Sequence, residues 1–164
     1  MTKILSIDPS SNRYKSSTTG IVLLDNAKLI DYWVVSYGVE NFKKWFSKVG
    51  QSLDYDQVIV EEYDVREGER RRDNTTKETM ECVLSCYPNC ITRNNSGYKT
   101  DIPDELLKRL NLWEFKDKKK NSHHHDVRAA ARLALFHAMR ENIYDVVQDI
   151  GKRSLGSEKE NLNV

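Results

Sequence analysis

Residues 3–11 read Lys3-Ile4-Leu5-Ser6-Ile7-Asp8-Pro9-Ser10-Ser11, and the reading of this stretch decides the fold. A short, mostly apolar run ends in an acid and a proline. Proline has no N–H to give to a ladder, so the strand stops at Asp8. A polar loop, Asn12 to Thr18, leads to a second apolar run, Gly20-Ile21-Val22-Leu23-Leu24. Asp25-Asn26 is a tight-turn signal. Residues 28–37 (KLIDYWVVSY) are rich in the β-branched and aromatic types that favour strands. The chain therefore begins as a three-stranded meander.

Beyond it the period changes. Phe42, Trp45, Phe46 and Val49 fall at i, i+3, i+4 and i+7, the spacing of an amphipathic helix. Val58-Ile59-Val60 is apolar on both faces and ends in Glu61-Glu62, which suits a central strand covered on each side. Asp73 or Asn74 can cap a helix carrying Thr76, Met80, Val83, Leu84 and Tyr87 on one face. Residues 89–92 fit a fifth strand, and 101–112 a helix with Pro103 in its first turn. Val127, Ala130, Ala131, Ala134 and Ala138 form a small-residue stripe at helical spacing, with Ser122 as its cap. After about Asn142 the apolar pattern weakens, and 151–164 reads as a frayed polar tail. Three antiparallel strands followed by α/β alternation predict an α/β fold: a mixed five-stranded sheet with helices on both faces. The expected division is one domain over 1–145 and a polar C-terminal tail over 146–164.

The 164 residues suit a single domain. Apolar runs of four or five residues are far short of the ~20 needed to span a membrane, and no export signal precedes the first strand. Three cysteines without such a signal point to free thiols and a cytoplasmic setting. The charge balance of 26 Lys+Arg against 25 Asp+Glu gives no hint of a nucleic-acid partner as a total. Its distribution does. Residues 108–120 carry Lys108, Arg109, Lys116, Lys118, Lys119 and Lys120 against Glu114 and Asp117, and Arg70, Arg71 and Arg72 form a second cluster.

Acids stand where this pattern brings strand ends together. Asp8 closes the first strand, Glu61 and Glu62 the fourth, and Asp126 opens the alanine-striped helix. If the first and fourth strands are parallel neighbours, their carboxyl ends share the sheet edge that ligand sites favour in open α/β sheets. Converging carboxylates repel one another, and a divalent cation with oxygen ligands relieves that repulsion. Two such ions can activate water for phosphodiester hydrolysis, while lysine and arginine clusters hold phosphates. Each acid also has a plainer role: Asp8 as a turn starter before Pro9, Asp126 as a complement to a helix dipole. His123 and Asp126, three apart at a helix start, share a face. Cys82, Cys86 and Cys90 with His137 offer a rival zinc site, although no C-x₂-C pair is present.

Three motifs resemble the RNase H-like superfamily, and within it RuvC-type Holliday junction resolvases, small phage-encoded ones in particular. Residues 4–11 with Thr19-Gly20-Ile21-Val22 resemble the family's opening strand, catalytic aspartate and second strand. Val58-Ile59-Val60-Glu61 resembles the strand ending in the catalytic glutamate. His123-His124-His125-Asp126-Val127-Arg128-Ala129-Ala130 resembles the final-helix motif. The resemblance implies an RNase H-like fold over about residues 3–140. It implies Asp8, Glu61, His123 and Asp126 as catalytic metal ligands for two Mg²⁺ or Mn²⁺ ions. It further implies DNA contacts from Arg70, Arg71, Arg72, Lys118, Lys119 and Lys120, and a homodimer that nicks opposed strands of a four-way DNA junction. A less selective nuclease acting on flaps or RNA–DNA hybrids, and a non-catalytic nucleic-acid-binding module, are the alternatives on the same fold.

Overall fold

Strand β1 (Lys3–Asp8) runs through the middle of the sheet, and Ile4, Leu5 and Ile7 on it have no solvent exposure. The computed structural model describes residues 1–63, 73–115 and 124–162. β1 pairs antiparallel with β2 (Thr18–Asp25), and β2 pairs antiparallel with β3 (Lys28–Ser36). On its other side β1 pairs parallel with β4 (Gln57–Glu61), which pairs parallel with β5 (Ile91–Arg93). The order is β3-β2-β1-β4-β5, the mixed five-stranded sheet that the alternation predicts.

Side chains alternate across a strand, and two cores result. Leu5, Ile7, Ile21, Val58 and Val60 face α1 (Gly38–Lys48) and α2 (Thr76–Cys86), meeting Phe42, Trp45, Met80 and Val83. Ile4, Val22, Leu24 and Ile59 face α5 (His124–Arg140), whose stripe of Val127, Ala130, Ala131, Ala134 and Ala138 is fully buried. Each fully buried Leu or Ile contributes about 1.5–3 kcal/mol, so the doubly covered strands are the stable centre of the molecule.

Three elements differ from expectation. The helix expected over 101–112 is two short ones, α3 (Tyr98–Asp101) and α4 (Asp104–Arg109). Ile102 precedes Pro103, and the proline ring disfavours helical backbone there. The N-cap of α2 falls two residues after Asp73 and one after Asn74, the two caps expected. Thr75 is its N-cap, and Asp73 Oδ1 accepts the Thr75 N–H at 3.0 Å. The expected tail is helical: α6 spans Tyr144–Leu162, so a boundary at 145 falls inside it. Val146 and Ile150, four apart, enter the α5 core. Asp149 accepts the Ala27 N–H at 3.0 Å, and Asp145 accepts the Thr2 hydroxyl at 2.8 Å, fastening α6 to the sheet. The Ser122 cap lies outside the described residues. Among the described residues no helix is long and apolar enough to cross a membrane.

Candidate functional site

The parity of β1 places Asp8 on the same face as Ile4, and the parity of β4 places Glu61 on the same face as Ile59. That face is covered by α5, which carries Asp126 in its first turn. Ile7 pairs with Val60 in the parallel register, so Asp8 and Glu61 leave neighbouring strand ends side by side. Their side chains share a hydrogen bond. Burial first, then the charges of Glu61 and Asp126, hold the Asp8 carboxyl well above the ordinary carboxylate range. Three acids from three elements thus act electrostatically on one another at the carboxyl edge of the sheet. The pleat separates the paired glutamates: Glu62 is exposed, its N–H donating to the Arg93 carbonyl at 3.0 Å, while Glu61 lies on the face of Asp8.

Gly20 makes the third acid's approach possible. It pairs with Asp8 across the β1–β2 ladder. A Cβ at this position would lie 2.6 Å from Val127 N and closer still to the Asp126 carbonyl. Only a residue with no side chain lets α5 touch β2 there. Thr18, two residues earlier on β2, donates its hydroxyl to Asp126 Oδ2. On the other flank Asn95 Nδ2 donates to Glu61 Oε1. Tyr98 stands near the same two acids. Burial, then Glu61 and Asp8, push its phenol up to about 12. Gly20 lies within a motif read in advance, but Thr18, Asn95 and Tyr98 are site neighbours that sequence reasoning missed. Only the Asn95-Ser96-Gly97 turn signal marks their surroundings.

The loop after Asp8 is clasped to α2. Ser11 Oγ donates to Asp73 Oδ2, and the Asn12 N–H donates to Thr75 Oγ1 at 3.1 Å. Burial pushes Asp73 up, but these hydroxyls and the Thr75 N–H outweigh it and hold the carboxyl below its usual value. Tyr63 hydroxyl donates to the Asp73 carbonyl at 2.6 Å.

The histidine run divides. His124 packs edge-on to Phe115 with ring centroids 5.7 Å apart, and His125 is exposed. His123 lies outside the described residues, as do Arg70, Arg71, Arg72, Lys118, Lys119 and Lys120. Of the basic stretch, Lys108 sits 4.9 Å from the Trp113 ring centroid and Arg128 of α5 sits 4.2 Å from it. The rival zinc ligands are engaged elsewhere. His137 bonds Arg93 and Gln57, and the Cys82 thiol, hydrogen-bonded to Cys86, is pushed up to about 11 by burial.

Among the described residues, no three His, Cys, Asp or Glu side chains close into a preformed ion-binding cluster. The chemistry of the donor set nonetheless fits a hard divalent cation. Asp8, Glu61 and Asp126 offer carboxylate oxygens alone, and their mutual repulsion, visible at Asp8, is what such a cation offsets.

A mixed sheet in the order 3-2-1-4-5 with helices on both faces defines the RNase H-like fold class. Solved structures sharing it include Thermus thermophilus RuvC in complex with a Holliday junction substrate. That structure superposes with a TM-score of 0.63 at 15% identity, over 88% of this chain and 98% of the other. A further Thermus thermophilus RuvC structure gives a TM-score of 0.57 at 16% identity, over 86% of this chain and 96% of the other. No protein-family model matches the sequence, and no curated protein matches it.

Proposed function

We propose that this chain is a divalent-metal-dependent endonuclease that cuts branched DNA, four-way junctions foremost. The observation that carries the proposal is the convergence of Asp8, Glu61 and Asp126 from β1, β4 and α5, with the Asp8 carboxyl raised by the other two. The RuvC neighbours, one of them bound to a Holliday junction, support the choice of substrate. Asp8, Glu61 and Asp126 would hold Mg²⁺ or Mn²⁺, joined by His123, and the ions would supply Lewis acidity and a water of lowered pKa. The protein's own part is to place the carboxylates. Thr18 fixes one Asp126 oxygen, and the β1–β4 register sets Asp8 beside Glu61. Arg70–Arg72 and Lys118–Lys120 would hold phosphates. A homodimer would present two such sites to opposed strands.

The test is incubation of the purified protein with a labelled four-way junction and Mg²⁺ or Mn²⁺. A linear duplex, a flap and an RNA–DNA hybrid run alongside. Paired nicks on the junction that disappear in Asp8→Asn and Asp126→Asn support the reading. Equal cutting of the flap or hybrid favours a less selective nuclease. A second reading on the same fold is a non-catalytic binding module. Tight junction binding without cleavage in either metal would establish that one and overturn the first.

A further inference from the structure

Segment 94–104, between β5 and α4, is stapled to the helix that carries Asp126 while reaching across to Glu61. We infer that Asn95 is a positioning residue for Glu61, an inference that rests on the metal-dependent nuclease reading. Asn95 Nδ2 donates to Glu61 Oε1. A carboxylate only accepts, so the nitrogen of the amide is the end that faces it. The backbone on both sides of Asn95 is tied into turns. Ser96 N–H donates to Asn94 Oδ1 at 2.7 Å, and Tyr98 N–H donates to the Asn95 carbonyl at 3.1 Å. Gly97, at φ 82°, takes the left-handed conformation that lets α3 begin at the next residue.

Further anchors of the segment are on α5. Arg132 pairs with Asp104, and Arg140 pairs with Asp101 at 2.9 Å. The Tyr98 ring meets Phe136 edge-on with centroids 6.5 Å apart, and the Arg132 guanidinium lies 5.5 Å from the Tyr98 centroid. Glu61 on β4 is therefore referenced, through Asn95, to the body that bears Asp126. An amide is suited to this task because it is neutral. It orients one oxygen without cancelling the negative charge a cation needs, as an arginine or lysine would. Without Asn95 the Glu61 carboxylate is free to turn fully toward Asp8, whose carboxyl already shares a hydrogen bond with it.

The experiment combines Mn²⁺ binding by titration calorimetry with junction cleavage measured against Mn²⁺ concentration. It compares the wild type with Asn95→Ala and Asn95→Asp. For Asn95→Ala, Mn²⁺ affinity falls about 10- to 100-fold and the Mn²⁺ requirement for cleavage rises by the same factor. The rate at saturating Mn²⁺ stays near that of the wild type. Asn95→Asp is worse, because an added carboxylate replaces a donor. If the wild type binds Mn²⁺ and cuts while Asn95→Ala binds as tightly, this inference falls and the nuclease reading stands. A wild type that neither binds Mn²⁺ nor cuts overturns both.

Discussion

Replacing Gly20 by alanine tests whether α5 must touch β2 for the three acids to meet. The new Cβ would sit 2.6 Å from Val127 N and closer to the Asp126 carbonyl. Carbon contacts are comfortable from about 3.5 Å, so the start of α5 must retreat by about 1 Å. The obstructing atoms are backbone, and no rotamer change relieves them. The helix has little room to yield, since Val127, Ala130, Ala131 and Ala134 are all fully buried against the sheet. Overpacking of this kind costs about 1–3 kcal/mol. At roughly 2–4 °C per kcal/mol for a chain of this size, Tm drops by roughly 2–12 °C. The effect on cleavage is larger, because Asp126 moves with the helix, and a 1 Å misplacement at a reacting centre costs about 100-fold.

The assay pairs scanning calorimetry with junction nicking, and Gly151→Ala serves as the counter-case. Gly151 lies within α6, and a Cβ there meets nothing within 4 Å. Alanine at that position gains about 0.5–1 kcal/mol of helix stability. The same substitution thus has opposite signs at the two positions. A Gly20→Ala protein with wild-type Tm and wild-type cleavage would refute the close-approach argument, because α5 could then stand off β2 without consequence.

Asp8→Asn raises the stability of the metal-free protein while abolishing cleavage, the rate falling by at least about 10²–10³. Its folded pKa lies above the unfolded 3.8, so Asp8 favours folding fully below pH 3.8 and loses that contribution as pH rises through the folded value. The gain in Tm from Asp8→Asn is therefore greatest at neutral pH and vanishes in acid; a loss of Tm at neutral pH would contradict it. His137 titrates in the other sense. Burial, then Arg93, push its imidazole down to about 4 from 6.5. Its contribution is present above pH 6.5 and lost as pH falls through about 4, roughly 3 kcal/mol in all. In urea unfolding at pH 7 and pH 4, His137→Gln narrows the gap between the two midpoints, and an unchanged gap counts against the assignment.

The strands of the site were legible because they are covered on both faces. Residues 4–7 and 58–60 are short, mostly apolar runs, and the acid that follows each run marks the carboxyl end of its strand. The helix over 124–140 announced itself through alanines at helical spacing. What escaped were residues whose role depends on tertiary approach. Thr18, Asn95 and Tyr98 are single polar residues in a strand, a loop and a one-turn helix, with no period to reveal them, and the need for glycine at position 20 is set by a helix more than a hundred residues away. Helix α6 hid because, among the described residues, it brings only Val146 and Ile150 into the buried α5 core, amid polar neighbours. The strands that end in Asp8 and Glu61 are parallel neighbours, yet spacing along a chain does not say how closely carboxylate oxygens gather, and no preformed cluster is present among the described residues.

The side chains that orient these acids explain how a chain of almost balanced charge can keep a strongly negative site. Among the described residues, Thr18 donates to Asp126 and Asn95 to Glu61, and both donors are neutral. Nearby arginines are occupied with other partners: Arg93 with Glu141 and His137, Arg132 with Asp104, Arg140 with Asp101. These pairs fasten β5 and segment 94–104 to α5 while directing positive charge to other acids. A guanidinium turned onto Glu61 would form a bidentate pair and compete with any cation for the same oxygens. Neutral donors restrict the carboxylates in orientation and leave their charge. The cost of that choice is seen at Asp8, which in the metal-free protein is pushed toward its protonated form. On the proposed nuclease reading, a divalent cation would compete with the proton at Asp8. Metal affinity consequently increases with pH until Asp8 is ionised, a dependence that an arginine-neutralised site would not show.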